Sequence, residues 1–134
     1  MNNMTEIASK ITDSELEVMR ILWQDNKPVP LARIKSEIAG KTKWNGDTVR
    51  TLLRRLCEKG AVSQQKREVY YYTAVVSELE YKKYSTHSLI DKLFHGSARN
   101  LVAALVENNE LDEDDVDELR AMFKRVLRPA SEAE

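Results

Sequence analysis

The sequence contains one cysteine, three prolines and four glycines in 134 residues. A lone thiol, Cys57, excludes an internal disulfide and every zinc framework built on several cysteines. Four glycines, all at turns, leave no glycine-rich loop that could cradle phosphates. No Ser-His-Asp set or paired-carboxylate pocket stands out, so the sequence does not read as an enzyme. Its apolar runs extend only a few residues, against about 20 for a membrane-spanning helix. The opening "MNNMTEIASK" lacks the apolar core of a secretory signal. A cytoplasmic protein without metal, cofactor or membrane partner is expected.

What is present is a globular composition, 42% hydrophobic and 32% charged, sized for one domain or a small domain with an appendage. The net charge of −1 conceals an asymmetry. Residues 1–76 hold 13 Lys and Arg against 9 Asp and Glu, a balance of +4. Residues 77–134 hold 8 against 13, a balance of −5. A basic first half and an acidic second half point to a division of labour.

Periodicity organises the basic half. In "ITDSELEVMRILWQDNKP", Thr12 and Glu15 have capping-box spacing, and Leu16, Met19, Ile21, Leu22 and Trp23 follow as a broad apolar side. Pro28 and Pro30 end that helix. "LARIKSEIAG" predicts a shorter helix with Leu31, Ile34 and Ile38 inward and Gly40 as C-terminal cap. Asn45-Gly46 supplies turn chemistry, and Asn45 is expected to cap a third helix over 46–59. After Gly60 the period shortens to two. "AVSQQKREVYYYTAVV" predicts a β-hairpin with Gln64 to Glu68 as its polar tip. Three helices and a hairpin in this order predict the winged variant of the helix-turn-helix.

The acidic half predicts three more helices. "SELEYKKYSTHSLIDKLFHG" ends at Gly96, "SARNLVAALVENN" starts from Ser97, and "LDEDDVDELRAMFKRVLRP" starts from Asp112. About 58 residues cannot bury many apolar positions alone, so their stripes are expected to meet a second copy. The candidate dimer interface is Leu89, Leu93, Leu101, Leu105, Leu119, Met122, Phe123 and Val126. The fold class is therefore mainly α. A winged-helix domain over 8–76 precedes a helical dimerisation domain over 77–128, with a frayed tail over 129–134.

The third helix, "NGDTVRTLLRRLCEKG", carries the functional question. Val49, Leu52, Leu53 and Leu56 form one apolar stripe opposite Asp47. Thr51 and Arg54 lie on the outward side, with Arg50 and Arg55 at its edges and Thr48 near the amino end. An ordinary solvated face would mix Glu with Lys for i,i+4 pairing. Arginine instead forks onto guanine or phosphate, and threonine hydrogen-bonds or touches a thymine methyl. Alone, an amphipathic helix with three arginines is more often a plain surface helix. Position before a hairpin tipped by Lys66 and Arg67 favours DNA, since two cations there suit phosphates.

At these residues the sequence resembles the bacterial penicillinase-repressor and methicillin-resistance-repressor family. "ITDSELEVMRILW", "KWNGDTVRTLLRRLCEKGAV" and "YYYTAVVSELEYK" carry the likeness to its DNA-binding part. "LIDKLFHGSARNLVAALVENNELDEDDVDELRAMF" carries the likeness to its dimerisation region. The resemblance implies a winged-helix repressor that binds palindromic double-stranded operator DNA as a homodimer. It places recognition positions on Thr48, Arg50, Thr51, Arg54 and Arg55, and the wing on Lys66 to Val69. Where members commonly have Ser-Pro-Lys, this sequence has Asn45-Gly46-Asp47. Asp47 would repel phosphate but can accept from cytosine N4, so it joins the base-reading candidates. Backbone candidates are Lys41, Lys43, Asn45, Lys66 and Arg67. An inactivating protease of the kind that controls antibiotic-responsive members would cut at Ala104–Leu105. That bond lacks their Asn-Phe pair, which argues against such control. Copper-responsive relatives carry C-terminal cysteine pairs, and none follows Cys57.

Several residues have plainer roles. Cys57 lies beside the apolar stripe and reads as a structural thiol. His87 and His95 lack a carboxylate-rich partner pattern for metal. "ENNELDEDDVDE" lacks calcium-loop spacing and reads as a solvated helix start. Trp23 and Trp44 are expected in the core. Alternation turns one or two of Tyr70, Tyr71 and Tyr72 inward, and the resemblance to the repressor family implies Tyr70 and Tyr72 inward with Tyr71 outward. The competing function is a winged-helix protein-interaction module without DNA, which would show no steep salt dependence toward DNA.

Overall fold

The computed structural model describes residues 3–127. The frayed tail expected over 129–134 lies outside them. Among the described residues, seven helices and three strands follow in the order α1 (Asn3–Ser9), α2 (Asp13–Gln24), β1 (Val29–Pro30), α3 (Leu31–Ala39), α4 (Gly46–Lys59), β2 (Val62–Lys66), β3 (Tyr70–Ala74), α5 (Glu78–Phe94), α6 (Ala98–Glu107) and α7 (Glu113–Leu127). By packing, the chain divides into two compact units, residues 1–88 and residues from 89 onward. The division falls inside α5, twelve residues beyond the boundary at 76 expected from the change of pattern.

In the first unit, α2 begins with a reciprocal cap. The Glu15 N–H donates to Thr12 Oγ1 at 3.2 Å, and the Thr12 N–H donates to Glu15 Oε1 at 3.0 Å. Met19, Ile21 and Leu22 of α2, Ile34 and Ile38 of α3, and Val49, Leu52, Leu53 and Leu56 of α4 meet in one core. Each such side chain contributes roughly 1.5–3 kcal/mol by leaving water. Leu16, Leu31, Trp23 and Trp44 pack against this core from its margin and are only partly buried. The Trp23 indole donates to the Val76 carbonyl at 2.9 Å, tying α2 to the chain beyond β3. Gly60 ends α4 at φ 83, a left-handed conformation that glycine adopts without strain.

Two elements were not expected. Helix α1 packs Met4, Ile7 and Ala8 on the core. Strand β1 makes the hairpin a three-stranded antiparallel sheet in the order β1-β3-β2, pairing Val29 with Tyr72 and Pro30 with Tyr71. Pro30 sits on the edge strand, where its missing N–H leaves no ladder bond unmade.

The hairpin also differs in detail. Gln64, Gln65 and Lys66 are strand residues paired with Tyr72, Tyr71 and Tyr70, so the tip is only residues 67–69. Tyr72 is buried, as expected, but Tyr70 is 40% exposed. Alternation puts both on one face of β3. Tyr70 lies at the tip end of the strand, among wing residues that are themselves exposed.

In the second unit, Gly96 at φ 83 follows α5, and Ser97 Oγ accepts the Asn100 N–H at 3.1 Å to start α6. Asp112 and Asp115 cap α7 reciprocally, at 2.8 and 3.2 Å. Helices α6 and α7 line a shallow apolar groove with Val102, Val106, Val116, Leu119 and Phe123. Neither helix contains a fully buried residue.

Candidate nucleic-acid interface

Helix α4 is fixed by its stripe, and its cap and outward face are what remain for function. Asn45 Oδ1 accepts the Thr48 N–H at 2.9 Å and the Thr48 hydroxyl at 3.2 Å. The cap therefore occupies both residues with each other, although Thr48 stands among the base-reading candidates and Asn45 among the backbone ones. Thr51 is half-buried between the stripe and the outward face.

The arginines are the outward charge. Arg50 and Arg54 side chains are 59% and 61% exposed, and each lies near an acid of its own helix. Arg50 Nη1 is 3.6 Å from Asp47 Oδ1, and Arg54 Nη1 is 3.3 Å from Glu58 Oε2. Exposed pairs of this kind are worth little, about 0.3–0.5 kcal/mol, so both guanidiniums can turn toward a stronger anion. Arg55 is exposed and has no ion pair among the described residues. Glu58, which the sequence already puts on the outward side at the carboxyl end of α4, is brought to Arg54 by i,i+4 spacing.

The wing presents its cations over aromatic faces. Lys66 Nζ lies 5.4 Å from the Tyr70 ring centre, and the Arg67 guanidinium lies 5.2 Å from that of Tyr71. Such contacts orient a cation without neutralising it. Gln64 Nε2 donates to Tyr72 Oη at 3.0 Å, and Arg67 Nη2 donates to Gln65 Oε1 at 3.2 Å. Between α4 and the wing runs a groove of about 420 Å³, bordered by Arg50, Arg54, Cys57, Gln64 and Tyr70. Burial, and then the nearby Glu58, pushes the Cys57 thiol above its ordinary pKa, so it stays protonated. Burial does the same to the Tyr72 phenol.

At the amino end of α4, Lys41 and Lys43 are exposed in the turn that Trp44 closes. A lysine not anticipated from the sequence joins them. Lys35 of α3 extends across Gly46, its Cε 3.2 Å and its Nζ 3.3 Å from where a Cβ would stand. Its distance in sequence from α4 gave no signal; only the packing of α3 on α4 reveals it.

Among the described residues, no three His, Cys, Asp or Glu side chains are grouped to hold a metal ion. His87 lies exposed on α5, and His95 is exposed in the turn that follows it. No helix among the described residues is long and apolar enough to cross a membrane.

Of the eight expected dimer-interface residues, Leu89, Leu93, Met122, Phe123 and Val126 are exposed, and Leu101, Leu105 and Leu119 are half-buried. Ala104 and Leu105, the bond considered for proteolysis, are both half-buried within α6.

Comparison with known proteins places relatives beside this chain. The chain is 30% identical over 111 residues to a penicillinase repressor of Bacillus licheniformis, covering 82% of this chain and 86% of that protein. It is 32% identical over 117 residues to the methicillin resistance regulatory protein MecI of Mammaliicoccus sciuri, covering 87% and 94%. The solution structure of the DNA binding domain of the repressor BlaI overlaps 53% of this chain and 87% of that one, at 32% identity and a TM-score of 0.49. The profile of the penicillinase repressor family matches residues 11–125, the winged helix and the helices after it alike. The chain belongs to the penicillinase repressor family.

Proposed function

We propose that this protein is a DNA-binding transcriptional repressor that grips a palindromic operator as a homodimer. Family membership makes it a repressor rather than an enzyme. The observation that carries the DNA geometry is the joint display of Arg50, Arg54 and Arg55 on α4 with Lys66 and Arg67 on the wing. Helix α4 enters the major groove, where Arg50, Thr51, Arg54 and Arg55 meet base edges. Asp47 reads or restricts one further base, and Thr48 contributes once its hydroxyl leaves the cap. Lys41, Lys43, Asn45, Lys66 and Arg67 fix register on the phosphates. The protein acts in the cytoplasm, where its operator lies.

Dimerisation rests on the second unit. Phe123, Met122, Val126, Leu89 and Leu93 expose apolar surface that a single chain leaves in water. Two-fold symmetry then sets half-sites about one helical turn, or a multiple of it, apart. Release by cleavage at Ala104–Leu105, within α6, is disfavoured because that bond lacks the Asn-Phe pair of the antibiotic-responsive members.

A gel shift with the DNA upstream of its own gene, over a salt series, tests the reading. A repressor of this kind loses affinity steeply with salt and prefers a dyad. Binding that is indifferent to both would instead identify a winged-helix protein-interaction module.

A further inference from the structure

Lys35 stands in an electrostatically awkward place. Its side chain crosses the first turn of α4, where a Cβ on residue 46 would be 3.2 Å from Lys35 Cε, tighter than ordinary van der Waals contact. Gly46 leaves room for that path. The ammonium thereby rests beside the amino end of a helix, which already carries partial positive charge and favours acids. The acids nearby are otherwise engaged. Asp47 is turned to solvent at 90% exposure with Arg50 as its neighbour, and Glu37 accepts from Arg33 at 2.9 Å. Lys35 has neither an ion pair nor a hydrogen bond among the described residues. A half-buried side chain whose ammonium has no partner, at the helix end that disfavours its charge, breaks a local electrostatic rule. An anion arriving from outside would resolve the conflict. Gly46 lies one turn before Arg50 on the same side of α4, so the ammonium borders the base-reading face.

We propose that Lys35 is a DNA phosphate contact that fixes the amino end of α4 against the backbone, with Gly46 leaving space for its side chain. This rests on the DNA-binding reading above. Lys35 reads no base; it sets how deeply and at what angle α4 sits, through one charge–phosphate contact. Asp47, the acid at the same end, is turned to solvent and leaves that contact to Lys35.

The test is fluorescence anisotropy of the full chain on a labelled duplex from upstream of its own gene, over 50 to 200 mM salt. Lys35→Gln keeps most of the side-chain stem and removes the charge. One lost phosphate contact should shallow the slope of log affinity against log salt by about one, so the wild-type advantage shrinks roughly 3.5-fold across that range. Lys35→Arg should restore the wild-type slope. Gly46→Val should weaken binding in the wild-type background and add little to Lys35→Gln, because both changes remove the same contact. Lys27→Gln, which removes an exposed charge elsewhere, should leave the slope alone. An unchanged slope for Lys35→Gln, alongside a shallower one for Lys66→Ala, overturns the proposal and leaves the DNA reading standing. An effect of Lys27→Gln equal to that of Lys35→Gln also overturns it, as one of net charge only. A wild-type chain without salt-dependent DNA binding overturns both.

Discussion

Lys59, in the last turn of α4, donates to both oxygens of the buried Glu15 carboxylate, at 2.6 and 2.8 Å. The same ammonium donates to the Lys10 carbonyl at 2.9 Å, so it joins the start of α2, the end of α4 and the chain between α1 and α2. Glu15 is 1% exposed and serves at once as capping residue and as counter-ion. The pair locks α4 to the rest of the winged unit. Replacing Lys59 with Met would leave a carboxylate out of water with no cation. Breaking one half of a buried pair costs about 3–5 kcal/mol; the partial exposure of Lys59 puts this case near the lower end. Urea denaturation should show the loss. A midpoint within error of wild type would mean that the pair contributes nothing net.

Arg54, like Arg50, has an acidic partner that can be removed without touching the stripe. Arg54→Ala should weaken operator binding by roughly 1–3 kcal/mol and relax the preference at one base pair. Glu58→Ala removes the acid 3.3 Å away and should tighten binding slightly at low salt, since Arg54 no longer leaves a pair. Selection of bound sequences from a randomised half-site gives both readouts. An unaltered base profile for Arg54→Ala would remove it from base reading.

The wing should behave differently. Lys66 is held over Tyr70 and Arg67 over Tyr71, positions suited to phosphate rather than to bases. Lys66→Ala should lower affinity alike for operator and unrelated DNA, and shallow the salt slope by about one. A change in sequence preference would instead put the wing in a groove.

The three-helix order, both polar caps of the winged unit and the α4 stripe were legible in the sequence because each is a local signal. Thr12 and Asn45 cap the residues three positions on, and Val49, Leu52, Leu53 and Leu56 repeat with the helical period. Elements that depend on tertiary packing were not. Helix α1 has seven residues, too few for periodicity to stand out, and is held by core contacts of Met4, Ile7 and Ala8. Strand β1 has two residues, one of them proline, and exists only because β3 passes beside it. Tyr70 shares a face with Tyr72, yet alternation says nothing about where a strand runs past its core. Lys35 and Lys59 owe their placement to helix–helix packing, so neither announces itself along the chain.

Alkaline pH should loosen the winged unit. Burial raises the Cys57 thiol above its ordinary 9.0, and burial raises the Tyr72 phenol above its ordinary 10.0. Both groups hold their protons more tightly folded than unfolded. Their contribution is complete below the unfolded pKa and is lost as pH rises through the folded one. Stability should therefore be level across neutral pH and fall from about pH 9 upward. Thermal unfolding of wild type and Cys57→Ala from pH 7 to 10.5 checks this, with the variant declining later. Identical profiles would show that the thiol makes no difference. At neutral pH the protonated, half-buried thiol should also alkylate more slowly than free cysteine.

The proposed dimer is best challenged where a charge does least harm to the single chain. Val126 is 80% exposed and Phe123 is 49% exposed, both on α7. A carboxylate at Val126 costs the protomer almost nothing, because that side chain already faces water. Buried between two copies, it would meet its symmetry mate or apolar surface, and neither can solvate it. Val126→Glu should therefore give a monomer at micromolar concentration by light scattering, with helix content and melting of the winged unit retained. Operator affinity should fall by roughly 100-fold or more, since a second linked half-site multiplies avidity by about 10²–10⁴. Affinity for an isolated half-site should not change, because α4 and the wing are untouched. A Val126→Glu chain that remains dimeric would move the interface off this face of α7.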